Sequence, residues 1–156
     1  MRHALPPARG RALLTLVVGV GNPWRGDDAA GLAVARRVRE RSPGLDAREL
    51  EGDAAALLEL WAGHARVAVV DAARTGSPAG TLHVFRADRE PLPVELRSST
   101  HAFGVADAIE LARALDRLPP RLDVYGVEGV EFGLGTPLTP AVQRAIDGLA
   151  ARLAAP

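Results

Sequence analysis

Apolar and polar positions follow two different spacings along this chain of 156 residues. Short continuous apolar runs with paired valines predict strands covered on both faces, and stripes repeating every three to four residues predict amphipathic helices. Strands are predicted at residues 13–19, 45–50, 66–70, 81–86 and 122–127. Helices are predicted from Asp27-Asp28 to about residue 40, at 54–62, at 101–115, and onward from 137–140.

The resulting order, β-α-β-α-β-β-α-β-α, predicts a three-layer α/β/α sandwich around a mixed, mostly parallel five-stranded sheet. The fourth strand follows the third without an intervening helix. Because a parallel crossover needs a dozen or more residues, this strand is predicted to be antiparallel and at an edge. Residues 1–11, rich in Arg and Pro, are predicted to form a disordered or frayed tail, and residues 12–156 a single domain.

Composition excludes several classes of protein. The 19 basic residues, all Arg, balance 19 acidic ones, which argues against a nucleic-acid partner bound through an overall positive field. The absence of cysteine excludes thiol nucleophiles, disulfides, iron–sulfur clusters and thiolate zinc sites. No apolar run approaches the roughly 18 residues of a membrane span. We therefore expect a cytoplasmic protein with no membrane partner.

Three groups with metal-binding chemistry follow the predicted strands, where ligands bind in open α/β sheets. They are Asp28 after the first strand, Asp71 at the end of the third, and His101 at the start of a helix. Each also has a structural interpretation, as a helix start, a loop cap and a helix entry respectively. Together, two carboxylates and one imidazole suit a borderline or hard divalent metal and leave coordination positions open.

Other motifs are weaker. Gly19-Val20-Gly21-Asn22 suggests a dinucleotide loop, but Trp24 stands where the third glycine belongs, so no dinucleotide is expected. No Gly-x-Ser-x-Gly elbow is present. Trp24 is interpreted either as an exposed partner contact or as a lid over the helix start. The stretch 128–131 either borders the cleft or, as we favour, is a solvated loop.

The same residues carry a family resemblance. The segment 17–31, with its Gly-x-Gly-Asn, acidic pair and Gly31, resembles the opening motif of the nickel–iron hydrogenase maturation proteases. Three later segments resemble further elements of that family in the same order, over about residues 13–150: Val69-Val70-Asp71-Ala72, Ser99-Thr100-His101-Ala102-Phe103-Gly104 and Gly135-Thr136-Pro137-Leu138-Thr139-Pro140. Glu51-Gly52-Asp53 departs from the Asp-Gly-Gly that family members often show there.

The resemblance implies an endopeptidase that removes a C-terminal extension from a hydrogenase large-subunit precursor after nickel insertion. It places the nickel-sensing role on Asp28, Asp71 and His101, with Asp27 a less favoured ligand. Nickel would arrive with the substrate, so no tightly bound metal is expected in the free protein. The resemblance also implies a mixed five-stranded sheet between helices.

These residues leave the mechanism of peptide-bond cleavage open. Nickel would either polarise the carbonyl or activate a water, or it would only position the substrate, and the nucleophile is not identified. Two alternatives remain. One is a non-catalytic, metal-sensing chaperone of the same partner, and the other is a free-standing metallo-aminopeptidase.

Overall fold

The protein is described by a computed structural model that covers residues 13–93 and 103–156. The strands are β1 (Leu16–Gly21), β2 (Asp46–Glu51), β3 (Arg66–Ala73), β4 (Leu82–Arg86) and β5 (Arg121–Glu128). The helices are α1 (Ala30–Arg41), α2 (Leu57–Leu60), α3 (Val105–Ala114) and α4 (Pro140–Ala154). Single 3-10 turns, Gly26–Ala29 and Ala54–Ala56, lead into α1 and α2.

The five strands form one sheet in the order β2-β1-β3-β5-β4. β1 is parallel to β2 and to β3, and β5 is parallel to β3. β4 is antiparallel to β5 and lies at the edge, as its short connection to β3 predicts. The predicted fold class is therefore confirmed.

Helices cover both faces of the sheet, so the molecule has two apolar cores. Leu16, Val18 and Val20 of β1 belong to the core formed with α2 and α3, whereas Val17 belongs to the core formed with α1 and α4. All six residues of β1 are buried. Burial on both faces explains why this strand appears in the sequence as an unbroken apolar run.

Several boundaries differ from the prediction. β1 begins at Leu16 instead of residue 13 and continues to Gly21. β3 continues to Ala73 because its pairing with β5 runs on to Ala73↔Glu128, so Asp71 lies within β3 and not directly after it. The α-helical part of α2 is limited to four residues. The predicted tail 1–11 and the predicted helix start at His101 lie outside the described residues.

In residues 13–93 and 103–156, no helix is both long enough and apolar enough to cross a membrane.

Candidate active site

The segment that joins β1 to α1 folds back on itself and carries Asp28. The Asn22 N–H donates to the Asp28 carbonyl at 3.2 Å, and the Asp28 N–H donates to the Arg25 carbonyl at 3.0 Å. Gly26 adopts φ +51, a conformation that favours glycine and turns the chain into the 3-10 turn. Asp28 lies in that turn, and the residue preceding α1 is Ala29. Asp28 therefore lies at the start of the helical segment, as predicted, but it is not the N-cap residue of α1.

Gly31, in the first turn of α1, brings this segment onto the sheet. A Cβ atom at Gly31 would collide with the carbonyl oxygens of Val20 and Val70. Only glycine permits the helix to approach the backbones of β1 and β3 this closely. The close approach places the turn that holds Asp28 beside the residue that follows Val70, which is Asp71.

Asp71 and Asp28 interact electrostatically. Asp28 is 5% exposed and Asp71 is partly buried. Removal from water raises the pKa of Asp71 to about 7, with a further increase from the negative charge of Asp28. The Ala72 N–H, which donates to Asp71 Oδ1 at 2.8 Å, opposes this increase. Two carboxylates that repel each other favour the binding of a cation between them.

A small cavity of about 30 Å³, large enough to hold a water molecule, adjoins Asp71. Val105, the first residue of α3, also lines it, so the beginning of α3 lies at the same place as Asp71. His101, four residues before Val105, lies outside the described residues. Within the described part of the chain, no group of three or more His, Asp or Glu residues is arranged to hold a metal ion.

Asp27, adjacent to Asp28, has a different environment. It is fully buried, and its carboxylate accepts hydrogen bonds from the N–H groups of Val130 (2.9 Å), Glu131 (3.0 Å) and Thr139 (2.8 Å) and from the Thr139 hydroxyl (3.0 Å). Burial alone would raise the pKa of Asp27, but these donors lower it below its ordinary value. Asp27 therefore ties the β1–α1 segment to the connection between β5 and α4.

Glu128 is another buried carboxylate near the end of the sheet. It is 1% exposed, so the prediction of a solvated loop is wrong at this residue. It accepts hydrogen bonds from the Thr75 N–H at 2.8 Å and from the Thr75 hydroxyl, and it lies 3.0 Å from His83 Nε2. Glu128 therefore attaches the β3–β4 connection to the end of β5. The sequence feature that could have indicated its burial is its position as an acidic residue at the end of an apolar strand.

The first-motif tryptophan is exposed. Trp24 has 70% of its surface accessible, so the interpretation as a lid packed over the helix start is wrong. Its backbone is nevertheless fixed, because its N–H donates to Asn22 Oδ1 at 2.9 Å and its carbonyl accepts from the Gly135 N–H at 2.8 Å. The side chain therefore projects into solvent from an ordered loop beside Asp28.

Solved structures resemble this fold over most of its length. [NiFe] hydrogenase maturation protease HybD from Thermococcus kodakarensis aligns with a TM-score of 0.71 at 29% identity, covering 91% of this chain and 99% of that one. HycI from Thermococcus kodakarensis KOD1 aligns with a TM-score of 0.74 at 21% identity, covering 91% and 90% respectively. The latter identity supports the fold alone.

Sequence comparisons extend the likeness to the family. The model of the family described as hydrogenase maturation protease (HycI) matches residues 52–155, which is more than half of the chain. The hydrogenase 2 maturation protease of Escherichia coli (strain K12) is 30% identical over 139 residues, covering 85% of this chain and 83% of that protein. The chain thus belongs to the hydrogenase maturation protease family and is a hydrolase of the endopeptidase type.

Proposed function

We propose that this endopeptidase removes the C-terminal extension of a hydrogenase large-subunit precursor after nickel has been inserted. Asp28, Asp71 and His101 contact the nickel that the precursor carries. The observation that supports this most is the convergence of the Asp28 and Asp71 carboxylates at the carboxyl ends of β1 and β3. The relatives are themselves named for the maturation of hydrogenases.

The donor set suits a metal that arrives with its substrate. Two carboxylates and one imidazole, with no thiolate, bind divalent ions modestly and leave positions for ligands of the partner. A resident catalytic zinc is held by three protein ligands, often from His-Glu-x-x-His, which this sequence lacks. In the proposed reaction, these residues complete the coordination of nickel and so test for its presence before cleavage.

The position of α3 supports the inclusion of His101. The first residue of α3 lines the cavity beside Asp71, and only three residues separate it from His101. Consecutive Cα atoms are about 3.8 Å apart, so the histidine is within chain reach of both carboxylates. In this proposal the imidazole supplies the only nitrogen ligand that the protease offers to nickel.

Substitution of these residues tests the assignment. Asp71→Asn and His101→Ala are expected to slow cleavage of a nickel-loaded precursor by about 100-fold or more while leaving the melting temperature near that of the wild type. The matched controls are Asp46→Asn, a half-buried carboxylate at the opposite end of the sheet, and His64→Ala, which precedes β3. Cleavage is followed by the mass of the precursor.

Each outcome distinguishes the alternatives. If Asp71→Asn or His101→Ala cleaves at the control rate, the assignment of that residue is wrong. Wild-type protein that binds the precursor without changing its mass would be a chaperone. Release of amino-terminal residues from short peptides, dependent on a metal bound to the protease itself, would identify an aminopeptidase.

A further inference from the structure

Three large apolar side chains beside the candidate site are exposed to solvent. Trp24 is 70% exposed, Val130 59% and Leu134 74%. They lie on two segments joined by backbone hydrogen bonds, since the Gly135 N–H donates to the Trp24 carbonyl and the Asp27 N–H donates to the Glu131 carbonyl. We call these three residues the Trp24 surface. Exposed apolar groups gathered in one place are typical of binding sites for other proteins.

The backbone under the Trp24 surface is fixed. The Asp27 carboxylate binds the N–H groups of Val130 and Glu131, and hydrogen bonds hold Trp24 on both sides. The tryptophan is therefore exposed although the segment that carries it is well ordered. A rigid aromatic side chain loses little conformational freedom when a partner covers it, so it contributes effectively to binding.

Charged groups surround the apolar centre. Arg25 is exposed next to Trp24, and the exposed Arg74 stacks at 4.0 Å over the ring of Phe132, on the same connection as Leu134. Glu131 is also exposed, and one of its oxygens accepts the Gly133 N–H. Two guanidinium groups against one carboxylate make this rim positive. An aromatic centre with arginines at its edge has the composition of a protein interface.

We propose that the Trp24 surface is the docking surface for the hydrogenase precursor and that it determines substrate affinity separately from the nickel site. The inference rests on the proposed function. It is continuous with that site, because three residues separate Trp24 from Asp28 and Val130 binds the carboxylate of Asp27. The complementary face of the precursor is apolar at its centre and acidic at its edge.

The proposal separates two steps of recognition. Docking on Trp24, Val130 and Leu134 requires no metal, so nickel-free precursor binds this surface. Cleavage requires the contact between nickel and the two carboxylates. Loss of the surface therefore raises KM and the Kd for precursor but changes kcat little.

The test compares Trp24→Ala and Leu134→Ser with a control that makes the same leucine-to-serine change elsewhere. Leu115→Ser is suitable, because Leu115 is 53% exposed and follows α3 at the opposite end of the sheet. For both surface variants we expect KM for nickel-loaded precursor to rise at least about tenfold, with kcat within about twofold. Calorimetry with nickel-free precursor should show the same increase in Kd, and the control should match the wild type.

Three results would overturn the proposal. The first is an unchanged KM and Kd in both surface variants. The second is a reduced kcat with KM unchanged, which would place Trp24 in the cleavage step. The third is conversion of a dimer to a monomer by Trp24→Ala with unchanged Kd for precursor, which would show that the surface joins two copies of this chain.

The binding experiment also separates this proposal from the proposed function. Calorimetry with nickel-free precursor measures docking without any cleavage. If the wild type binds nickel-free precursor and the surface variants do not, the docking proposal is supported, even if the proposal of nickel-dependent cleavage is wrong. If the variants bind and cleave the precursor as well as the wild type does, the docking proposal is wrong and the proposed function is unaffected.

Discussion

At the scale of single residues, Asp27 and Asp28 are neighbours with opposite surroundings. The carboxylate of Asp27 is enclosed by three N–H groups and a hydroxyl, which stabilise its charge and lower its pKa. Asp28 instead faces the like charge of Asp71, which favours a cation. Asp27 therefore maintains the shape of the site, and Asp28 is the residue of this pair that we propose contacts the nickel of the substrate.

Exchanging each carboxylate for an amide separates these roles. Asp27→Asn presents an NH2 group to N–H donors and should lower the free energy of unfolding by about 2–3 kcal/mol. Asp28→Asn removes one of two neighbouring like charges, so it should destabilise the protein less than Asp27→Asn does, yet abolish cleavage of nickel-loaded precursor. Urea denaturation and the mass of the precursor measure the two effects. Equal stability of Asp27→Asn and the wild type would contradict the structural role.

At the scale of elements, α1 contacts the sheet through a glycine. Gly31→Ala would place a methyl group against the carbonyls of Val20 and Val70, so α1 must shift away from β1 and β3. We expect a loss of about 1–3 kcal/mol in stability and slower cleavage, because Asp28 moves with the helix. Thermal unfolding and the cleavage rate check this.

Gly148 in α4 provides the matched control for Gly31. A Cβ atom there meets nothing within 4 Å. Gly148→Ala should therefore stabilise the protein by about 0.5–1 kcal/mol, since alanine favours a helix, and should leave cleavage unchanged. If Gly31→Ala behaved in the same way as Gly148→Ala, the close approach of α1 would not matter to the site.

Glu128 makes the attachment of the β3–β4 connection dependent on pH. Burial would raise the pKa of Glu128, but the hydrogen bonds from Thr75 and the contact with His83 hold it below the ordinary 4.5. A lowered pKa in the folded state stabilises the protein above pH 4.5, and this stabilisation disappears as the pH falls through the lowered value.

Glu128→Gln tests this dependence. The variant should be less stable than the wild type at pH 7 by roughly 1–2 kcal/mol. The difference should narrow as the pH falls below about 4.5, where Glu128 of the unfolded chain becomes protonated, and should disappear once the pH is below the lowered pKa of the folded protein. Denaturant unfolding across the pH range measures both proteins. A difference that stays constant down to pH 3 would show that the charge of Glu128 does not stabilise the fold.

The sequence predicts the elements, and it indicates two candidate site residues, because both depend on local pattern. Valine pairs mark β1 and β3, and the short link before β4 determines its direction. The strand ends indicate Asp28 and Asp71. The extension of β3 to Ala73 and the partners of Asp27 and Glu128 arise from contacts between distant segments, which no local pattern encodes.

At the scale of the whole molecule, a chain with no net charge places acidic and basic groups in separate positions at one end of the sheet. The total of 19 basic and 19 acidic residues gives no net field. The buried carboxylate of Asp28 and the partly buried carboxylate of Asp71 nevertheless lie near the carboxyl ends of β1 and β3, next to an apolar surface with Arg25 and Arg74 at its rim. This arrangement suits a partner that brings both a cation and an acidic surface.

The donor set also predicts the metal content of the isolated protein. Two carboxylates and one imidazole hold divalent ions modestly, so the purified protease should contain well below one equivalent of nickel or zinc. Elemental analysis after exhaustive dialysis provides the measurement. A full equivalent of metal retained after dialysis would point to a resident catalytic ion.

Whether the substrate supplies the metal is tested most directly by incubating chelator-treated, washed protease with two forms of the precursor. Nickel-loaded precursor should lose the mass of its C-terminal extension, and nickel-free precursor should keep its full mass. A protease that needs its own metal restored before it cuts nickel-loaded precursor, or that cuts nickel-free precursor equally fast, would contradict a metal supplied by the substrate.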